Sequence, residues 1–282
     1  MKQSLCAITS NVEISPGIHL MWLEAPDIAA IAQPGQFITV CCQGLVLRRP
    51  FSVHQADTSR IALLFKIVGR GTLWLAQRQR GDKVDILGPL GNRFSIEPEV
   101  RNLLLVAGGI GIAPLVFLAQ RSSAQHSVTL IYGASMAAQL YPLWLATSKK
   151  RSNLLSLPDS VRFIPVTEDG SIGKKGMVTD ILPDFLGWAG QIYACGPIDM
   201  YKAMSDLICH SEGAERPKNL TQDKVRKEPK LKRCQVSLEV RMGCGIGACY
   251  GCTINTRKGP KKVCHDGPVF ELDDILWEEV SI

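Results

Sequence analysis

The run "LLLVAGGIGIAPLVFLA", residues 103 to 119, constrains the fold more than any other stretch of this chain. Its 17 residues stand at the short end of what a membrane-spanning helix requires. Three glycines and a proline interrupt its centre, and a strand that turns through glycine into a helix accounts for them better. The membrane reading is therefore rejected. "NLLLVAGG" then reads as a buried strand and "APLVFLAQRSS" as a helix. "SVTLIYGAS", "VRFIPVTEDG" and "QIYACGP" read as further strands, the last followed by the helical "IDMYKAMSDLICH". Apolar strands alternating with helices imply a parallel sheet covered on both faces.

The residues before Arg101 have another texture. Short runs such as "FITVCC", "RIALLFKIV" and "KVDIL" are punctuated by Pro and Gly, the pattern of an antiparallel barrel or sandwich. Four units are expected: a barrel over 1–98, an α/β unit over 99–212, a basic linker over 213–233 and a small C-terminal domain over 234–282. The formal charge of +6 hints at nucleic acid, but residues 214 to 233 alone hold eight Lys/Arg against three Asp/Glu. Such a run, with two prolines and no apolar periodicity, reads as solvated linker, so no nucleic-acid partner is expected. The opening "MKQSLCAITSNVEIS" has no apolar leader pattern, which favours a cytoplasmic location. The ten cysteines then read as reduced thiols or metal ligands rather than a disulfide framework.

Residues 243 to 252, "GCGIGACYGC", gather three of those cysteines. Cys244, Cys249 and Cys252 make C-x4-C-x2-C, and Cys264 follows after eleven intervening residues. Structural zinc sites usually pair cysteines two by two through short spacers. Three plus one, opened by a four-residue spacer, is the plant-type [2Fe–2S] spacing. Three thiolates from one loop must converge, with backbone N–H groups aimed at the sulfurs to offset their charge. Gly243, Gly245, Gly247 and Gly251 permit the backbone such wrapping requires. Zinc, or buried thiols that merely coincide, are the alternatives. Cys6, Cys41, Cys42, Cys209 and Cys234 show no comparable spacing and read as small core or surface residues.

Two stretches suit nucleotides. "RRPFS" (48 to 52) supplies in Arg49 a planar fork of donors for a diphosphate or a reduced flavin. In "GRGTLWLAQ", Thr72 after Gly71 reads as the N-cap of a helix whose N-terminus receives a phosphate. A surface-paired arginine and an ordinary capped helix are the alternative. "VAGGIGIAP" (106 to 114) places glycines between strand and helix, where backbone can approach a pyrophosphate, with Pro114 in the first helical turn. Its alternative is a packing turn. "ACGP" (194 to 197) ends a later strand, the edge at which α/β sheets bind ligands, so Cys195 either faces a nicotinamide or is a buried thiol in a turn.

Taken in order, "RPFS", "GRGT", "GPLGN", "AGGIGIAP", "TEDGS" and "ACGP" resemble the ferredoxin–NADP reductase-like flavoproteins. The ending "VSLEVRMGCGIGACYGCTI…KKVCHDGPVF" is similar to the electron-transfer subunit of bacterial dihydroorotate dehydrogenase B. The resemblance covers nearly the whole chain and is most specific at the cysteines. It implies FAD in the barrel, NAD(H) in the α/β domain, and a [2Fe–2S] cluster at the face meeting an FMN-containing catalytic subunit, as a heterotetramer of two of each. For FAD it implies Arg49, Pro50, Phe51 and Ser52 at the isoalloxazine and ribityl groups. Leu64, Phe65 and Lys66 would lie along the cofactor, with Gly71 and Thr72 at its diphosphate. For NAD it implies Gly108, Gly109, Gly111 and Pro114 at the pyrophosphate, and Asp169, Gly170, Ser171, Cys195, Gly196 and Pro197 toward the nicotinamide. Cys244, Cys249, Cys252 and Cys264 would hold the cluster. No acid/base pair for dihydroorotate is nominated in this chain.

Two departures stand out: Phe51 replaces a tyrosine common in the wider superfamily, and the basic segment is longer than this subunit implies. After "LIYGAS" comes "MAAQ", without Lys or Arg for a 2′-phosphate, which favours NAD over NADP. An oxygenase reductase would carry a full ferredoxin domain with a far more distant fourth cysteine. The flavin subunit of an NADPH-dependent ferredoxin or sulfide reductase would carry aspartate in place of Cys244. A redox-sensing module without a catalytic partner is the non-enzymatic alternative.

Overall fold

The structure is a computed structural model that describes residues 1–140, 157–210 and 233–280. The expected basic linker lies outside the described residues except for Arg233, as does the side chain of Cys209.

Six strands form the N-terminal unit: β1 (Lys2–Ser15), β2 (Ile18–Glu24), β3 (Phe37–Cys41), β4 (Arg49–Ala56), β5 (Arg60–Lys66) and β6 (Lys83–Leu90). They close into a barrel in the order β1-β2-β5-β4-β3-β6. Every pairing is antiparallel. Alternation explains the closure. Along β6, Val84 and Ile86 turn inward to meet Ile38 and Val40 of β3 and Met21 and Leu23 of β2, while the residues between them face outward.

The second sheet is built on β7 (Asn102–Gly108), β8 (Ser127–Ala134), β9 (Arg162–Thr167), β10 (Lys174–Lys175) and β11 (Gln191–Cys195). Strand β7 shows why a near-continuous apolar run is required here. Leu103, Leu105 and Ala107 pack with helix Ile112–Ser122, whereas Leu104 and Val106 pack with Met200, Tyr201 and Met204 of helix Ile198–His210. Both faces are thus covered. The 103–119 run resolves into strand, glycine turn and helix, and no helix among the described residues is long and apolar enough to cross a membrane.

The C-terminal segment is not set apart from this sheet. Its first strand, β12 (Cys234–Ser237), pairs in parallel with β11. After the hairpin β13 (Thr253–Thr256) and β14 (Gly259–Lys262), β15 (Val269–Glu271) returns antiparallel to β12. The sheet order is therefore β10-β9-β8-β7-β11-β12-β15. Cys234, Cys6 and Cys42 are buried apolar residues, and Cys41 is exposed.

The stretch joining barrel to sheet is stitched to this added edge. Asn92 accepts from the Val269 N–H at 2.9 Å and donates from its amide to the Val269 carbonyl at 2.7 Å. Ser95 holds Gln191, Gln235 and the Tyr193 hydroxyl, and its own N–H donates to Gln235 Oε1 at 2.9 Å. Gly91 leaves no space for a side chain, since a Cβ there would stand 2.5 Å from Pro268. Barrel, sheet and cysteine-bearing segment consequently share one set of contacts.

Candidate functional site

A cavity of about 660 Å³ lies where these three units meet. That is within the size range of small-molecule and cofactor sites. The barrel unit contributes Arg49, Pro50, Phe51, Ser52, Leu64, Phe65, Lys66 and Thr72. The α/β unit contributes Gly111 and Pro114, from the turn and helix after β7, and Cys195 at the end of β11. Residues assigned from sequence to two nucleotides therefore face one space. A third wall, Ser237, Leu238, Glu239, Val240, Arg241 and Met242, was not singled out from sequence. A signal was present: the stretch "SLEVRM" runs without a break from a sheet strand into the first cysteine of the cluster.

Phe51 stacks edge-on against Phe65, with centroids 5.7 Å apart, and His19 backs Phe65 at 5.5 Å. The tyrosine hydroxyl missing from Phe51 is replaced by an aromatic packed between strands. Gly71 does not line the cavity but makes room for Arg49, whose Cγ would lie 3.0 Å from a Cβ there. Thr72 departs from the expected N-cap. The helix is Arg70–Ala76 with Gly69 at the cap, so Thr72 sits inside the first turn. Its Oγ1 accepts from the Val68 and Gly69 N–H groups and donates to the Gly69 carbonyl. Two donors of the turn are thereby occupied by the protein itself.

At the sheet edge, a Cβ on Gly111 would stand 2.1 Å from the Cys195 carbonyl oxygen, and one on Gly108 would stand 2.8 Å from Pro197. Gly196 likewise lies against Met200. These glycines let β7 and β11 close on each other, the packing role that stood as the alternative reading. Gly109 differs: its φ is +54° and nothing lies within 4 Å of its missing side chain. It is the glycine of this turn with room for a ligand. Burial, reinforced by Glu239, pushes the Cys195 thiol up to about 12, so it is a neutral donor, 3.5 Å from the Ser237 carbonyl. Glu239 presents surface to the cavity yet is surrounded closely enough that desolvation raises its carboxyl above the ordinary range.

Asp169, Gly170 and Ser171 lie outside the cavity. The Asp169 carboxylate accepts from the Ser171 hydroxyl at 2.6 Å and N–H at 2.9 Å, which holds it below the usual range. The Ser171 hydroxyl in turn accepts from the Ala137 N–H, tying this turn to the segment after β8.

The cysteine loop folds as its chemistry requires. The N–H groups of Ile246, Ala248 and Cys249 point at the Cys244 sulfur at 3.5, 3.3 and 3.4 Å. The Gly247 N–H points at Cys264 at 3.1 Å, and the Cys264 N–H at Cys252 at 3.4 Å. Gly245 and Gly247 adopt φ of +73° and +82°, which turns these donors inward. Desolvation acts to raise the Cys244 thiol, but hydrogen bonds from Ile246, Cys249 and Ala248 outweigh it and hold it at about 6. Burial and then the adjoining Cys252 push Cys264 up to about 12, so a thiolate there calls for a compensating cation. The thiols stand as two pairs, Cys244 with Cys249 and Cys252 with Cys264. Among the described residues no three His, Cys, Asp or Glu converge on one point. Four thiols ringed by N–H donors, in the C-x4-C-x2-C spacing with a later fourth, fit a two-iron cluster.

Comparison with known proteins agrees with this arrangement. A chain of the NADH-dependent reduced ferredoxin–NADP oxidoreductase, studied for flavin-based electron bifurcation, superposes with a TM-score of 0.77 at 27% identity. It is matched over 98% of this chain and 91% of that one. A ferredoxin–NADP+ reductase from Neisseria gonorrhoeae, solved with FAD and NADP, shares the fold at a TM-score of 0.61 and 17% identity, over 84% of this chain and 100% of that one. Barrel, sheet and cavity together define a ferredoxin reductase-like protein with an added cysteine-rich edge.

The family model for the iron–sulfur cluster binding domain of dihydroorotate dehydrogenase B matches residues 239–276, and an oxidoreductase NAD-binding domain model matches 105–206. The dihydroorotate dehydrogenase B (NAD(+)) electron transfer subunit of Caldanaerobacter subterraneus subsp. tengcongensis is 35% identical over 277 residues, 96% of this chain and 97% of the relative. That of Desulforamulus reducens is 35% identical over 280 residues, 94% of this chain and 95% of the relative. The chain belongs to the family of dihydroorotate dehydrogenase B electron-transfer subunits.

Proposed function

We propose that this chain is the electron-transfer subunit of an NAD-dependent dihydroorotate dehydrogenase in pyrimidine biosynthesis, with FAD and a [2Fe–2S] cluster as resident cofactors. It carries to NAD+ the electrons that an FMN-containing catalytic partner takes from dihydroorotate. One observation carries this reading: the cavity wall runs residue by residue from Ser237 to Met242, two positions before the first cluster cysteine. When bound, FAD supplies the exchange between two-electron hydride chemistry and one-electron transfer.

Arg49, Pro50, Phe51, Ser52, Leu64, Phe65 and Lys66 would hold the flavin against the barrel, with Gly71 and Thr72 supporting its diphosphate end. Arg49 brings positive charge toward a reduced flavin. Gly109, Gly111 and Pro114 would receive the dinucleotide at the sheet edge, with Gly108, Gly196 and Pro197 shaping that edge. Cys195 would offer a neutral thiol at the nicotinamide side, and Asp169, Gly170 and Ser171 would border the dinucleotide from the next turn. Cys244, Cys249, Cys252 and Cys264 would ligate the cluster. The segment following β8 supplies no cation for a 2′-phosphate through Leu140, which favours NAD. Deprotonation of dihydroorotate is assigned to the partner. The assembly is a heterotetramer of two chains of each kind, working in the cytoplasm.

The test is co-expression with an FMN-containing dihydroorotate dehydrogenase. A stable complex that reduces NAD+ with dihydroorotate is expected; a tagged chain that never recruits such a subunit overturns the assignment. Anaerobically purified protein should show both flavin and iron–sulfur absorbance. Flavin bands alone would overturn the cluster. The likeness to a ferredoxin–NADP oxidoreductase chain supports a second reading, a reductase subunit for another partner. Cys244 argues against it, and electron acceptance from reduced ferredoxin without dihydroorotate activity would favour it.

A further inference from the structure

Strand β3 touches both the cavity, through Phe37, and the cysteine loop, through Thr39, and one of these side chains is unexplained by the fold. Ile38 and Val40 point into the barrel core, so Phe37, Thr39 and Cys41 must point out. Cys41 is exposed, as an outward residue should be, but Thr39 is only 1% exposed. Its cover is the cysteine loop. A Cβ on Gly245 would stand 2.8 Å from Thr39 Cγ2, so the loop's backbone rests directly on this side chain. Thr39 Oγ1 nevertheless has no hydrogen-bond partner among the described residues. A buried hydroxyl left without a partner is destabilising, so this one calls for an acceptor.

The neighbourhood identifies that acceptor's chemistry. Gly245 follows Cys244, whose sulfur already gathers three N–H groups. On the neighbouring strand β4, Thr39 pairs with Pro50, which lines the cavity. Directly opposed residues of an antiparallel pair share a face, so Thr39 lies beside the cavity wall with the loop packed over it.

We propose that the Thr39 hydroxyl donates a hydrogen bond to a sulfur of the iron–sulfur centre held beside Gly245, and thereby positions and tunes that centre. The inference rests on the cluster assigned above. A donor to sulfur offsets negative charge and raises the reduction potential, so its removal lowers it.

The experiment is a potentiometric titration of the anaerobic holoprotein, followed by the electron paramagnetic resonance signal of the reduced cluster, with the FAD potential read optically as a control. Thr39→Val keeps the methyl group on Gly245 and removes the hydroxyl; Thr39→Ser does the reverse. A more negative cluster potential in Thr39→Val, with Thr39→Ser near wild type and FAD unchanged, is expected. An unshifted Thr39→Val overturns the proposal. A shift in Thr39→Ser equal to that in Thr39→Val also overturns it, because packing would then be the cause. If Thr39→Val does not retain a cluster, deuterium exchange supplies the measure. Wild type and Thr39→Ser in D2O should show an exchangeable hyperfine coupling that Thr39→Ala lacks, and its equal presence in Thr39→Ala overturns the proposal. A wild-type protein without any cluster signal overturns the iron–sulfur reading itself, and is distinguishable from all of these.

Discussion

Two glycine-rich stretches, "AGGIG" and "GCGIGACYGC", look alike on paper and do opposite work. In the first, Gly108 and Gly111 are present for space: their missing side chains let the ends of β7 and β11 meet, with 2.1 Å between a Gly111 Cβ and a carbonyl oxygen. In the second, Gly245 and Gly247 add torsion to close packing, their positive φ turning N–H groups toward sulfur. Glycine for room makes a rigid edge, whereas glycine for positive φ makes a cradle. Gly109 belongs to the first stretch by sequence and to the second by conformation.

Substitutions sharpen this contrast, beginning with the largest effect. Cys249→Ser should abolish iron–sulfur absorbance while FAD content stays at wild-type level; concurrent flavin loss would show that the two regions are not separable. Gly111→Ala should destabilise the protein by about 3 kcal/mol or more, measured by denaturant unfolding, because its Cβ meets backbone that cannot yield. Gly247→Ala should cost about 2 kcal/mol and lower iron content, since it strains a φ of +82° and crowds His265 at 3.0 Å. Gly109→Ala should cost only about 1 kcal/mol, from torsion alone, yet weaken NAD binding measured by calorimetry. Equal costs at Gly109 and Gly111 would erase the distinction between torsion and space.

The smallest effect concerns Glu239. Its carboxyl is raised by desolvation, so the folded state favours the protonated form, and the associated stability is present at low pH and lost as pH rises through the folded value. Glu239→Gln should match wild type in thermal melting near pH 4 and exceed it near pH 8. An unchanged difference across that range would place Glu239 in solvent.

The sequence pattern revealed what depends on periodicity and spacing. Alternation marked the barrel, apolar runs marked the parallel sheet, and the C-x4-C-x2-C spacing marked the loop that gathers N–H donors around sulfur. What stayed hidden depends on contacts between distant segments. The shared cavity needs Pro50, Cys195 and Met242 side by side, a juxtaposition that no local pattern encodes. Thr72 reads as a cap because the helical run "LWLAQ" follows it, but the helix starts at Arg70 and Thr72 closes the turn from within. Thr39 reads as an ordinary strand residue until the covering loop is seen.

The return of the C-terminal segment to the sheet has a consequence for how the redox centres are placed. Helix Ile198–His210 ends one anchored element, and Cys234 begins another already paired with Ile192. The parallel pairing of β12 with β11 and the antiparallel return of β15 thus hold both ends of the cysteine segment in the sheet. The cysteine loop is therefore placed beside the cavity by strand register, and a change that slips this register would move the redox centres relative to one another.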